Sequence, residues 1–419
     1  MISDARMWPL SNLLHRFIRN GTLHVTDAAG QEHRFGDGAE PVVRMRLHDA
    51  ALYRKLFLNP ELYFGEAYME GALTFEGCGI ADFHGLFSIN RLQLGSHWWQ
   101  KALRRIWKAV RSLQQRNPEG QAQRNVAHHY DLSRELYELF LDHDMQYSCA
   151  YFENPDDTLE QAQENKKRHI AAKLALKPGQ KVLDIGCGWG GMGLYIASHA
   201  DVEVLGVTLS KEQHAVACER ARAMGLADRV RFELRDYRDL DETFDRIVSV
   251  GMFEHVGVVR YDEFFAKLGK LMAPDGVALL HSIGHMSPPG TASPWLRKYI
   301  FPGAYSPALS EVFQATERQS LWVTDVEILR VHYADTIREW NRRFQANRTR
   351  VAELYDERFC RMWEFYLTGV ETMFRTGSQM VFQMQLGHVR DAVPLTRGYM
   401  LETEQALADA TPSVETQAR

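Results

Sequence analysis

The stretch VLDIGCGWGG, Val182 to Gly191, decides how this chain is read. Its opening residues are apolar and β-branched around a single acid, Asp184, which is the pattern of a short buried strand. Gly186, Gly188, Gly190 and Gly191 then crowd the turn into the next segment. Glycines in such a turn permit positive φ and let a ligand approach the backbone with no Cβ in the way. A Gly-x-Gly alone also begins dinucleotide sites. Here the acid precedes the glycines, where it can meet a cationic amino-acid group instead of repelling a pyrophosphate.

Outward from this turn, strand and helix patterns alternate. Val202 to Val207, Val230 to Leu234, Phe244 to Val250 and Val277 to Ile283 read as strands, and Ser210 to Met224 reads as a helix. Helical stretches between strands imply βαβ crossovers and hence a parallel sheet. Trp322 to Leu329 and Gln379 to Leu386 add two more strands around a helical block near Ala334 to Phe374. The expected fold class is α/β: a doubly wound, Rossmann-like sheet with a helical insertion, preceded by a smaller α+β domain. In that first region TLHVTDAAGQEHRF alternates like a hairpin around Asp27-Ala28-Ala29-Gly30, and Asp49 to Leu58 reads helical. The polar stretch QQRNPEGQAQRN reads as a linker. The expected organisation is an accessory domain over 1–113, a linker over 114–125 and a catalytic domain over 126–419.

At 419 residues, two domains are the natural expectation, and 45% hydrophobic with 25% charged residues describes a globular protein. Lys plus Arg total 49 against 54 acids, a net charge of -5, which weighs against a nucleic-acid partner. Cys78, Cys149, Cys187, Cys218 and Cys360 form no Cys-x-x-Cys pair, against zinc ribbons and thioredoxin chemistry. His281 and His285 are four apart but span a strand end, so no metal is expected. Neither a signal-peptide core nor a bilayer-length apolar run occurs, so the expectation is a cytoplasmic protein that meets membranes from outside. Trp99, Leu103, Ile106, Trp107, Val110 and Leu113 share one helical face, with Lys101, Arg104, Arg105, Lys108 and Arg111 opposite. That pattern fits an interfacial membrane helix, and equally a helix packed on a core with a solvated back.

The glycine turn resembles the first motif of class I methyltransferases that use S-adenosylmethionine. Strand two ends in GVTLSKEQ, Gly206 to Gln213; where most such enzymes place an acid for the ribose, this chain has Thr208, with Leu209 beside it and Gln213 one turn on. Asp236-Tyr237 ends strand three, where an acid and an aromatic commonly hold the adenine. Further segments resemble the cyclopropane-fatty-acyl-phospholipid synthases and the related mycolic acid cyclopropane synthases. They are HHYDLSRELYELFLD from His128, QYSCAYF from Gln146, SVGMFEHVG from Ser249, LLHSIG from Leu279, PWLRKYIFPGA from Pro294 and HYADTIREW from His332. YFGEAYMEGAL from Tyr63 resembles the extra domain of the bacterial phospholipid enzymes.

The resemblance implies a bicarbonate ion beside the cofactor methyl, held by Cys149, Glu254, His281 and Tyr333 with the Ile283 backbone also in contact. It implies that Tyr147 and Ser148 bind the cofactor. It further implies an unsaturated membrane phospholipid as substrate, a homodimer, and a peripheral contact with the inner face of the membrane. Elementary chemistry agrees with the set. An isolated alkene is a poor nucleophile, so a sulfonium methyl must be held in line with it and water excluded. Ring closure then needs one proton removed from the transferred methyl, which suits a small base fixed beside it. On this reading bicarbonate is the base, Glu254 and His281 position it and relay the proton, and Tyr333 is a further donor.

Taken singly, each residue has a plainer reading. Cys149 fits a small buried hydrophobe, Glu254 a helix-start acid, and His281 a hydrogen-bonded core histidine. Two other functions also stay open. One is C-methylation of an unsaturated lipid without ring closure; the other is a non-catalytic lipid-binding protein on the same fold.

Overall fold

The computed structural model describes residues 7–91 and 132–410. The basic amphipathic segment read over 99–113 and the linker read over 114–125 lie outside these residues. The chain forms two compact units. Among described residues one takes 7–91, 290–302 and 337–378, and the other takes 132–289, 303–336 and 379–410.

The first unit holds a four-stranded sheet in the order β2-β1-β3-β4, from β1 (Thr22–Thr26), β2 (Glu32–Gly36), β3 (Val42–Leu47) and β4 (Leu73–Phe75). The β1-β2 pair is the hairpin read from the sequence. Asp27 closes its turn by accepting from the Ala29 and Gln31 N–H groups, both at 2.9 Å. Alternate side chains, Leu23, Val25, Val43 and Met45 among them, enter one core, as the two-residue period of a half-buried sheet requires. The helix Pro60–Met69 explains why distant segments join this unit. A Cβ at Gly65 would stand 2.4 Å from Trp295 Nε1 and 2.9 Å from Phe365, so the missing side chain admits both rings. Trp295 Nε1 donates to Met69 Sδ at 3.3 Å, and Tyr68 donates to Glu364 at 2.9 Å. Residues 290–302 and 337–378 therefore pack with the N-terminal segment, and the uninterrupted catalytic domain read over 126–419 is replaced by an interleaved one.

The second unit holds a seven-stranded sheet. Its strands are β5 (Lys181–Ile185), β6 (Glu203–Thr208), β7 (Val230–Leu234), β8 (Phe244–Val250), β9 (Met272–His285), β10 (Trp322–Ile328) and β11 (Gln379–Gly387), ordered β10-β11-β9-β8-β5-β6-β7. The five strands from β9 to β7 run parallel, while β11 and β10 add antiparallel pairs at one edge. All seven strands overlap the stretches read from the sequence, and β9 extends past its stretch at both ends, from Met272 to His285. Leu183, Ile185, Leu205, Val207 and Ile247 enter one core, and Val182, Val204, Val230 and Val248 enter another. Burial on both faces is what a parallel sheet with crossover helices demands. The strand order reverses between β5 and β8, and such a switch point opens a crevice at the carboxyl ends of the strands.

Candidate functional site: a cleft at the switch point

The glycine turn occupies that crevice. Gly188 has φ of 53° and nothing within 4 Å of where a Cβ would stand, so its backbone faces open space. A cleft here is lined by Tyr147, Ser148, Asp184, Gly186, Gly188, Thr208, Leu209, Gln213, Asp236 and Tyr237. These are the residues named from the sequence, Gly190 excepted. At Gly190, φ is 85° and a Cβ would stand 2.8 Å from Phe232 and 2.9 Å from Ala217. Gly190 is thus a packing glycine that lets the next helix start against the sheet, not a wall of the cleft.

Asp184 is 1% exposed, and among the described residues its Oδ2 has no hydrogen-bond partner. Burial pushes its pKa up to about 7, against the opposing Gly193 N–H and the Lys166 ammonium. A buried carboxyl in this state is poised for a cation. On the facing side, the Thr208 hydroxyl donates to Gln213 Oε1 at 3.2 Å, a neutral pair of side chains for ribose hydroxyls. Asp236 is bound by Arg238 through its Oδ1 at 2.9 Å and Oδ2 at 2.6 Å. Its carboxylate is already paired, and Tyr237, edge-on to Phe264 at 5.7 Å, supplies the flat wall.

A cationic ligand must displace the Asp184 proton where that proton is still bound. Binding of S-adenosylmethionine is therefore expected to release protons most strongly somewhat below pH 7. Its affinity should rise with pH and level off above 7. Calorimetry in buffers of different ionisation enthalpy checks this, and a binding enthalpy independent of buffer at pH 6.5 contradicts it.

The segment over 145–149 borders the cleft and is fastened by charges that the sequence reading missed. Lys166, fully buried, donates to Ser148 Oγ at 3.0 Å and to Gln146 Oε1. Burial lowers its pKa to about 8, with Asp142 opposing. Lys167 pairs with Asp144 at 2.8 Å, and Arg220 binds both Asp144 and the Trp189 carbonyl, the latter at 2.8 Å. Asp144 thereby ties the segment to the glycine turn. The run ENKKRH looks solvated in sequence because its partners, Asp142 and Asp144, are some twenty residues away.

A second cluster adjoins this segment. Glu254 is 7% exposed; its Oε1 accepts from the Ile283 N–H at 2.6 Å, and its Oε2 has no partner among the described residues. The Ile283 backbone, read from the resemblance as an anion contact, thus has its N–H engaged in anchoring Glu254. Burial pushes the Glu254 pKa up to about 7, with the Ile283 N–H opposing. His281 ends the parallel part of β9, and its carbonyl accepts from Gly251 N at 2.9 Å. Burial holds its pKa well below the ordinary histidine value. Ala150 N donates to Thr336 Oγ1 at 3.0 Å, and Tyr333 precedes Thr336 by one turn of the same helix, His332–Ala346. Cys149, 2% exposed, has its thiol pKa raised by burial and donates weakly to the Ala150 carbonyl at 3.3 Å. A thiol, a neutral imidazole and a half-protonated carboxyl with a spare oxygen are groups that can surround a small anion. A thiolate or a fully ionised carboxylate there would repel it.

The family model of mycolic acid cyclopropane synthetase matches residues 117–384. A family described only as a domain of unknown function matches 10–83. The chain is 38% identical over 345 residues to cyclopropane-fatty-acyl-phospholipid synthase of Escherichia coli K12, across 81% of this chain and 86% of that one. It is 34% identical to tuberculostearic acid methyltransferase UfaA1 of Mycobacterium tuberculosis, across 92% and 91%. Among solved structures, mycolic acid cyclopropane synthase CmaA1 complexed with SAH and CTAB shares 37% identity at a TM-score of 0.60. That likeness covers 63% of this chain and 97% of the other.

Proposed function

This chain belongs to the mycolic acid cyclopropane synthetase family, and from that premise we propose that it is a cyclopropane-fatty-acyl-phospholipid synthase. Its reaction places the methyl carbon of S-adenosylmethionine across a cis double bond of a phospholipid acyl chain. The carrying observation is the pairing of two buried acids. Asp184, with a spare oxygen, faces the cleft, and Glu254, with a spare oxygen, stands in the adjoining cluster.

The methyl donor supplies an electrophilic carbon: the alkene's π electrons bond to it as sulfur leaves with its pair, and one methyl hydrogen departs as a proton while the ring closes. When bound, bicarbonate supplies the base for that proton. Asp184 balances the donor's positive charge, and the glycine turn admits its amino-acid portion. Lys166 holds Ser148 and Gln146 in place at the cleft's rim. Glu254, anchored by Ile283 N–H, offers its second oxygen to the anion and exchanges a proton near neutral pH. His281 and Tyr333 orient the anion. Cys149 lines it as a thiol, so no covalent enzyme intermediate is needed.

Lipid access, pairing of two chains and residence at the membrane's inner face complete the proposal. Among described residues no helix is long and apolar enough to cross a membrane. The basic stretch at 101–111 is the proposed membrane contact.

A donor with a fully deuterated methyl tests the reading. Ring closure is expected to give a lipid with two deuteria on one new carbon, resonating at the high field typical of cyclopropanes. Three deuteria retained in a methyl branch would replace it with C-methylation; the tuberculostearic acid relative is named a methyltransferase.

A further inference from the structure

Three polar residues stand side by side across the antiparallel edge of the large sheet. Glu327 on β10 is paired in register with Gln383 on β11, and Gln383 with His281 on β9. Directly opposed residues share one sheet face, so their side chains meet. Gln383 is fully buried and His281 and Lys173 are each 2% exposed, an environment where polar groups persist only if satisfied. Lys173, at the end of the helix Leu159–Lys173, closes the row by donating to Gln383 Oε1 at 2.7 Å and to Glu327. His169 donates to the same Glu327 carboxylate at 2.6 Å.

This arrangement removes an ambiguity that a histidine ring normally carries. An ammonium has no acceptor, so the Gln383 atom facing Lys173 must be oxygen. The amide nitrogen therefore faces the other way, 3.2 Å from His281 Nδ1. An amide N–H₂ donates and cannot accept, so Nδ1 must present its lone pair. With burial keeping the ring neutral, its one proton then resides on Nε2.

We propose that Gln383 and Lys173 are positioning residues that lock His281 in its Nε2–H tautomer, making it a fixed hydrogen-bond donor to the anion in the site. This rests on the reading of His281 as a site residue. It also changes that residue's role. A ring whose Nδ1 is covered by an amide and whose Nε2 already carries a proton cannot take the methyl proton, so Glu254 is left as the titrating side chain of the cluster. The row from Glu327 to His281 is an orienting scaffold and not a route for protons, since Gln383 in its middle has no exchangeable charge state.

The test is nitrogen NMR of the full chain carrying ring-¹⁵N histidine, with His281→Asn identifying the resonances. The expected wild-type spectrum shows a pyrrole-like Nε2 and a pyridine-like Nδ1. Gln383→Glu offers an acceptor in place of the donor and is expected to invert the pattern. Its kcat should fall by ~10²-fold or more, as befits the loss of one fixed hydrogen-bond donor to the anion, while affinity for S-adenosylmethionine stays within about twofold. Gln383→Met is expected to give a mixture of tautomers with an intermediate loss. A wild-type Nδ1–H tautomer overturns the proposal and needs no variant to be observed. So does a folded Gln383→Glu protein with undiminished kcat. If wild type gives ring product yet shows the Nδ1–H form, the lock alone fails. If it makes no ring from the deuterated donor, the functional reading fails instead.

Discussion

Asp184→Ala is expected to weaken binding of S-adenosylmethionine by about 30-fold or more while leaving the fold intact. Removing one partner of a buried charged contact costs about 2–5 kcal/mol, and each 1.4 kcal/mol is tenfold in affinity. The free protein should lose only the contact with the Gly193 N–H, because the Asp184 Oδ2 has no partner among the described residues. Asp184→Asn sharpens the argument. The folded pKa of about 7 lies above the ordinary carboxyl value of 3.8. The stability of burying this neutral acid is therefore fully present below 3.8 and is lost as pH rises through about 7. The amide escapes that loss, so ligand-free Asp184→Asn should melt above wild type at pH 8 and nearer to it at pH 5. With the donor present the order reverses, because only wild type gains from binding. Calorimetry and thermal melts measure both. Wild-type affinity in the Asp184→Ala protein would remove this residue from the cleft's chemistry.

The parts of this molecule that the sequence announces are those governed by local rules. Val182-Leu183-Asp184-Ile185 declares a buried strand by composition, and the glycines after it declare a turn. The five parallel strands follow from apolar runs spaced by helices, and the two edge strands are equally plain. What escapes is set by partners remote in sequence. Residues 290–302 and 337–378 join the N-terminal unit because Gly65 leaves space for Trp295 and Phe365, which no reading of either segment alone reveals. Gly190 looks like its neighbours in the turn, and only Phe232 and Ala217 above it show that it serves packing. Lys166, Lys173 and Gln383 look like surface residues because a buried polar group is recognisable only once its partners are known. The candidate site was legible for the same reason in reverse: His281 ends the parallel pairing of β9, Glu254 follows the end of β8 by four residues, and strand ends at a switch point are where such sheets bind ligands.

Glu254→Gln separates binding from chemistry with the second large effect. The amide keeps the wild-type geometry: its oxygen can accept from Ile283 N–H as Oε1 does at 2.6 Å, and its nitrogen can donate where the protonated carboxyl would. What it cannot do is gain or lose a proton. If Glu254 merely holds the anion, the variant should work nearly as well as wild type. If Glu254 also passes the proton on, kcat should fall by ~10²–10⁴-fold, the range for a positioned acid or base. Because Glu254 does not line the donor's cleft, affinity for S-adenosylmethionine should change by no more than a few fold. The pH profile gives an independent reading. Burial pushes the Glu254 pKa up to about 7, so wild-type kcat should bend near that pH. The residual activity of the variant should be flat across it. Glu254→Ala also removes the partner of the Ile283 N–H and leaves that donor unsatisfied, so it is expected to lower the melting temperature where Glu254→Gln does not. The proton role therefore stands on one comparison, the glutamine variant against wild type at equal donor saturation. A kcat within threefold of wild type, with the bend near pH 7 retained, would assign the proton to another group.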